Sequence, residues 1–213
     1  MKSSTAALQV LVDCGKLFYE RRWMWGTSGN LSVRLSSDPL RFAITPSGLN
    51  KGHMKMGDLL KIQNGRPVTG SRRGLCPSSE TVIHETIYRA VPSVNAVFHV
   101  HPIYSTLISC FHGHPKEQRF LHVDWFETLK TIGVGDEESA EIALIPNWQD
   151  ASRIAKDITA YWTTAAKPLP VALIYNHGLT AWGDTPEHVR NYLESMEYVC
   201  EYLYLKQRAG FKR

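Results

Sequence analysis

The sequence predicts a layered α/β domain on a mixed sheet. Stretches with a three-to-four-residue apolar period alternate along the chain with short apolar runs. Helices and strands that interleave in this way pack as layers around a common sheet. Several connections are short enough for hairpins, so the sheet is not purely parallel.

The elements follow in order. Leu8, Leu11, Val12, Gly15, Phe18 and Tyr19 stack on one face of an opening helix. Leu31, Val33 and Leu35, then Phe42 and Ile44, alternate as two half-buried strands. Residues 59–62 form a strand that enters a tight turn at Asn64-Gly65. Pro77-Ser78-Ser79-Glu80 starts a helix, with a capping serine and an acid in the first turn, and Val82, Ile83, Ile87 and Ala90 are its buried stripe. Residues 96–100 are a compact apolar strand, and Pro102 opens a helix that reaches about Phe111. Residues 142–145 and 171–175 are buried strands, with a helix between them at 151–161. Thr185-Pro186-Glu187 opens the last helix, whose inner face is Val189, Leu193, Met196, Cys200 and Leu203.

The chain has 213 residues, enough for one domain with a real core, and residues 70–79 are a loop too short to divide it. With 43% apolar and 21% charged residues it is not a disordered chain. A net charge of +4 without a dense basic run gives no footprint for nucleic acid. No stretch approaches the ~18 apolar residues of a membrane span. The first ten residues lack the apolar segment of a signal peptide. Cys14, Cys76, Cys110 and Cys200 are scattered and form no Cys-x-x-Cys, so free thiols in a cytoplasmic setting are expected.

His99-Val100-His101 is the sharpest chemical feature. Residues i and i+2 of a strand share a face, so two imidazoles at a strand end are part of a metal site. His177 follows the strand at 171–175, and Gly178 beside it permits close backbone approach, making it the third ligand candidate. His112-Gly113-His114 repeats the spacing, but its glycine and Pro115 predict a loop that fixes no geometry. His53, His84, His122 and His188 lack ligand spacing. Three small-residue loops, around Gly29-Asn30, Ser47-Gly48 and Ser78-Ser79, offer the amides and hydroxyls a phosphate needs. Neither a Gly-x-x-x-x-Gly-Lys-Ser/Thr loop nor a Gly-x-Gly-x-x-Gly turn is present, so a nucleotide is not indicated. Glu80 at a helix start and Glu127 beside Trp125-Phe126 are the acid/base candidates, and apolar shielding of Glu127 favours proton shuttling.

Thr27-Ser28-Gly29-Asn30, Thr45-Pro46-Ser47-Gly48, Pro77-Ser78-Ser79-Glu80, His99-x-His101 and His177-Gly178 together resemble the class II aldolase superfamily in order and spacing, over nearly the whole chain. The stretches around Ser47, Glu127 and His177 look most like its branch of sugar-phosphate dehydratases acting in methionine salvage. The resemblance implies a three-layer α/β/α domain with a mixed, largely antiparallel central sheet. It implies one zinc per subunit on His99, His101 and His177, and a homotetramer with sites near subunit borders. Glu127 matches the dehydratase acid/base and Glu80 that of the aldolases. The phosphate is expected on Gly29, Asn30, Ser47, Gly48, Ser78 and Ser79, with Lys51 adding charge. The familiar His-Thr-His-Ser is here His99-Val100-His101-Pro102, and the proline removes a backbone donor. Two alternatives stay open: a sugar-phosphate aldolase or epimerase, and a non-catalytic scaffold.

Overall fold

The computed structural model describes residues 4–68, 74–136 and 138–210. Part of the expected loop, residues 70–73, lies outside them. The elements are α1 (Ser4–Glu20), β1 (Asn30–Ser37), β2 (Leu40–Ile44), β3 (Leu60–Gln63), β4 (Arg66–Pro67), α2 (Thr81–Ala90), β5 (Ala96–Val100), α3 (Ile103–His112), β6 (Arg119–Val123), β7 (Ala140–Ile145), α4 (Ala151–Thr164), β8 (Val171–Ile174), β9 (Gly178–Gly183) and α5 (Pro186–Arg208). Short 3-10 turns lie at Lys51–His53, Met56–Asp58 and Glu127–Ile132.

Among the described residues the strands form one sheet, ordered β4-β3-β2-β1-β5-β9-β8-β7-β6. Its pairs are antiparallel except β7 with β8, which is parallel. The sheet is thus mixed and largely antiparallel, as expected. Helices cover both faces. Leu11 and Phe18 of α1, Ile108 of α3 and Leu193 and Met196 of α5 pack with Leu31, Phe98 and Leu179. Ile83 and Ile87 of α2 and Ile154 and Ile158 of α4 pack with Phe42, Val97 and Trp182 on the other side. Phe98 and Val97 are neighbours in β5 and enter opposite cores, as period-two alternation requires.

This two-sided cover corrects the reading of β1 and β2 as half-buried. Leu31, Ser32 and Val33 are successive and all buried, as are Phe42, Ala43 and Ile44. An alternating pattern in which the second face carries small or polar residues hides a strand covered on both faces. Ser32 belongs to that face.

The local signals at helix ends hold. Thr185 Oγ1 accepts the His188 amide at 3.1 Å, with Pro186 as the first helical residue of α5. Asp150 caps α4 by accepting the Ser152 amide at 2.9 Å. At α2 the expectation needs correction. Glu80 is the N-cap residue and its side chain does not cap, while Ser78 Oγ accepts the Glu80 amide at 3.2 Å. The Glu80 carboxylate is free to turn toward the sheet.

The register places one end of the central strands under the chemistry. Asn30 at the start of β1 pairs with His99, Ile44 at the end of β2 pairs with Ser32, and Leu179 at the start of β9 pairs with Val100. Chain ends that carry the candidate residues therefore meet at one level.

Candidate metal centre

His99, His101 and His177 converge. Their ligand nitrogens all lie within 4.8 Å of one another, and they are the triad of this kind among the described residues. His99 Nε2 stands 2.9 Å from His101 Nε2 and 3.3 Å from His177 Nε2. The rings cross at 67–77°, so three edges face one point. His99 Nδ1 lies 3.0 Å from Thr180 Oγ1. A proton on Nδ1, donated to that hydroxyl, leaves the Nε2 lone pair for a cation. Burial, then the neighbouring imidazoles, hold His99 well below the ordinary histidine range; the same causes lower His101 to about 3. These imidazoles are neutral at neutral pH, the form that ligates metal. Three imidazole nitrogens converging at such separations are a donor set that fits a divalent metal.

Backbone geometry makes this convergence possible. A Cβ on Gly178 would come 2.3 Å from Val100 O and 3.0 Å from His101 Cδ2. Only glycine lets β9 approach β5 where His177 meets His101. Gly29, with φ +71°, holds the neighbouring loop against His99 O, 2.9 Å from where a Cβ would sit.

Glu80 borders the cluster. Its Oε1 is 3.6 Å from His99 Nε2 and 3.4 Å from His177 Nε2, and its side chain is 17% exposed. A carboxylate on the open side of a three-nitrogen site can fill the fourth position or take a proton from what enters. Glu127 is elsewhere. It begins the last 3-10 turn, its side chain is 70% exposed, and it pairs with Lys130 at 3.2 Å. The expected shielding by Trp125 and Phe126 is absent on the single chain. Trp125 is itself 40% exposed and Phe126 packs on Tyr202 of α5.

The small-residue loops are tied to one another. The Ser47 amide donates to Cys76 O at 2.9 Å, joining the Ser47-Gly48 loop to the segment that leads into Ser78-Ser79. Leu31 N donates to Thr45 Oγ1 at 3.1 Å. Asn30 Nδ2 donates to Glu80 Oε2 at 2.7 Å. Ser47, Gly48 and Ser79 are exposed and Gly29 and Ser78 half-buried, whereas the Asn30 side chain is buried and engaged through both its amide atoms. Lys51 is fully buried and donates from Nζ to Thr27 O at 2.8 Å. Burial lowers its pKa to about 8. A buried ammonium near these loops is suited to an anion.

Three supporting residues were not anticipated. Thr180 orients His99. Glu197, on the apolar face of α5, accepts the amides of Tyr104 at 3.0 Å and Ser105 at 2.9 Å. It caps α3, whose own N-cap position, Pro102, supplies no side-chain acceptor. The signal for it was an acid one residue after Met196 on a buried face. His84, which lacks ligand spacing and is expected either at the surface or behind the ligands, is fully buried and contacts Asn30. His112 and His114 do not join the cluster, His53, His122 and His188 are exposed, and all four cysteines are free.

A fold of this topology with three histidines at the ends of its central strands defines a class of protein. The chain belongs to the class II aldolase and adducin N-terminal domain family, which matches residues 9–204. Within it the chain stands with the methylthioribulose-1-phosphate dehydratases. The enzyme of that name from Microcystis aeruginosa is 36% identical over 91% of this chain and 92% of its own length, and that from Leptospira biflexa 33% over 92% and 95%. A probable bifunctional methylthioribose-1-phosphate isomerase/methylthioribulose-1-phosphate dehydratase of Nocardia farcinica is 38% identical over 86% of this chain, which spans 32% of that longer protein. Among solved structures, YgbL of Escherichia coli has a TM-score of 0.77 at 23% identity, covering 94% of this chain and 89% of its own. An L-fuculose 1-phosphate aldolase has a TM-score of 0.71 at 26% identity, with 98% and 90% covered.

Proposed function

We propose that this protein, as a single domain over residues 1–213, removes water from 5-methylthioribulose 1-phosphate to give 2,3-diketo-5-methylthiopentyl 1-phosphate in methionine salvage. The observation that carries it is the histidine triad with a carboxylate at its open side, in a chain one-third identical to dehydratases over nearly its full length. The metal is proposed to be zinc, held by His99, His101 and His177. A divalent cation there polarises a carbonyl oxygen and lowers the cost of charge that builds as the adjacent C–H bond ionises.

The chain's own groups do the rest. The phosphate rests on Gly29 and Asn30, Ser47 and Gly48, and Ser78 and Ser79, with the Lys51 ammonium as counter-charge. Glu80, 3.4 Å from the His177 nitrogen, takes the proton from C3. Glu127 gives a proton to the departing C4 hydroxyl, so that water leaves and the resulting enol tautomerises to the diketone. Glu127 reaches these atoms from a neighbouring subunit. Its exposure on the single chain supports this, as do the exposed Trp125, Tyr198, Tyr202 and Leu205 around α5, which suit burial in a cytoplasmic homotetramer. No described helix is long and apolar enough to cross a membrane.

Incubation with 5-methylthioribulose 1-phosphate and identification of the products tests the reading. The diketone is expected without dihydroxyacetone phosphate. Release of dihydroxyacetone phosphate would assign aldol cleavage instead. Glu80→Gln and Glu127→Gln should each lower turnover at least about a hundredfold. Near-normal turnover in either variant removes that carboxylate from the mechanism.

A further inference from the structure

The wall of β1 and α2 behind Glu80 holds a row of buried polar side chains, of which the steps above use Asn30 and leave Ser32, His84 and Tyr88 without a role. Asn30 and Ser32 lie two apart on β1, so they share a face. His84 and Tyr88 lie four apart on α2, as do Glu80 and His84, so all three share a helix face. The two faces meet. Asn30 Oδ1 contacts His84 Nε2. His84 Nδ1 lies 2.7 Å from Ser32 Oγ, which lies 2.8 Å from Tyr88 Oη. His84 and Ser32 are fully buried and Tyr88 is 1% exposed, so water offers these groups no alternative partner.

The donor directions follow from the end that faces the cluster. Asn30 Nδ2 donates a hydrogen bond to Glu80 Oε2 at 2.7 Å. Asn30 Oδ1, which only accepts, then faces His84, and Nε2 must carry the proton. Burial lowers the His84 pKa to about 4, so the ring is neutral and Nδ1 is bare. Nδ1 accepts the Ser32 hydroxyl proton, and Ser32 Oγ accepts from Tyr88. Every bond in the row points toward Glu80, and the longer contact of Ser32 Oγ with Val97 O, 3.4 Å, is the competing acceptor for the Ser32 proton.

We infer that His84 is a positioning residue for Glu80: its Nε2–H pins Asn30 Oδ1, which turns the amide nitrogen of Asn30 to the carboxylate and holds it at the mouth of the histidine cluster. This rests on the reading of Glu80 as proton acceptor. The pin is needed because an asparagine amide has two nearly isosteric orientations. If Asn30 flips, its oxygen faces the carboxylate and repels it. The histidine tautomer therefore selects the orientation that serves Glu80.

Two measurements test this. The first needs no substrate: side-chain nitrogen NMR of histidine-labelled protein should show His84 as the Nε2–H tautomer from pH 6 to 8. An Nδ1–H tautomer reverses the row and overturns the inference. The second compares His84→Leu with His84→Gln, whose amide nitrogen can replace the Nε2 donor. His84→Leu should lower kcat about tenfold or more, the range seen when an outer partner of a site is removed. KM should change less than kcat and metal content should stay at wild type, since His84 reaches the phosphate loops through the Asn30 side chain alone, whose amide nitrogen is already given to Glu80, and it touches no ligand. His84→Gln should recover most of the loss. Wild-type kcat in His84→Leu, or no recovery in His84→Gln, overturns the inference. If the leucine variant does not fold, the tautomer decides. Should the wild-type protein fail to dehydrate the sugar phosphate, the functional reading falls, and the tautomer still decides the row separately.

Discussion

Gly178→Ala offers a test of the metal centre that leaves every ligand in place. The added Cβ would stand 2.3 Å from Val100 O, so the two strands must separate by at least about 0.7 Å to bring that contact to 3.0 Å. The obstacle is backbone on both sides, since Val100 is in β5 and Gly178 begins β9. No rotamer change relieves it. The strain falls between His101, one residue past Val100, and His177, one residue before Gly178. Metal sites accept ligand displacements of about 0.2 Å, so a 0.7 Å opening is too large to absorb. Overpacking of this kind costs about 1–3 kcal/mol. For a chain of this length that lowers Tm by about 2–12 °C. Scanning calorimetry of the metal-free protein measures the strain, and zinc retained after dialysis against a weak chelator measures the site. The expected result is a lowered Tm and a metal affinity at least about tenfold weaker. A variant with wild-type Tm and wild-type zinc retention would refute the argument that close approach of β9 to β5 builds the triad.

His101→Ala should lose nearly all metal while staying folded, whereas His112→Ala and His114→Ala should keep it, as elemental analysis of purified protein will show. Ser47→Ala or Ser79→Ala should raise KM without changing metal content; an unchanged KM in both moves the phosphate elsewhere. Lys51 has a folded pKa of about 8, below its ordinary 10.5, so the unfolded chain binds more protons between those values and stability rises with pH across that window. Lys51→Met should therefore raise Tm at pH 7, with a gain that shrinks above pH 8, and should raise KM; a lowered Tm at pH 7 contradicts the cost assigned to the buried ammonium. Glu197→Ala should destabilise the protein by about 1–3 kcal/mol, because the Tyr104 and Ser105 amides lose their acceptor, and urea unfolding will measure it.

The sequence by itself determined the periodic and punctuated parts of this protein. The helices, the strand carrying His99 and the hairpin at Asn64-Gly65 were legible because period, caps and turn residues act over a few neighbours. His99 and His101 were legible as a pair for the same reason, since a strand's pleat puts i and i+2 side by side. The sequence placed His177 at a strand end, but only the tertiary structure brings it to the pair, through the antiparallel pairing of β5 with β9 and the missing side chain of Gly178. The carboxylates show the limit most clearly. Trp125 and Phe126 beside Glu127 read as shielding, yet adjacency along a chain says nothing of what covers a side chain, and on the single chain Glu127 faces solvent. Glu80 was legible as an acid/base candidate at a helix start, but only the packing of α2 beside β1 and β5 sets it 3.4 Å from the His177 nitrogen with Asn30 on its carboxylate. Glu197, His84 and Ser32 had no periodic mark of function. Each is a polar residue on a buried face, and what it holds is 52 to 93 residues away in the chain, a distance that only the packed sheet and helices close.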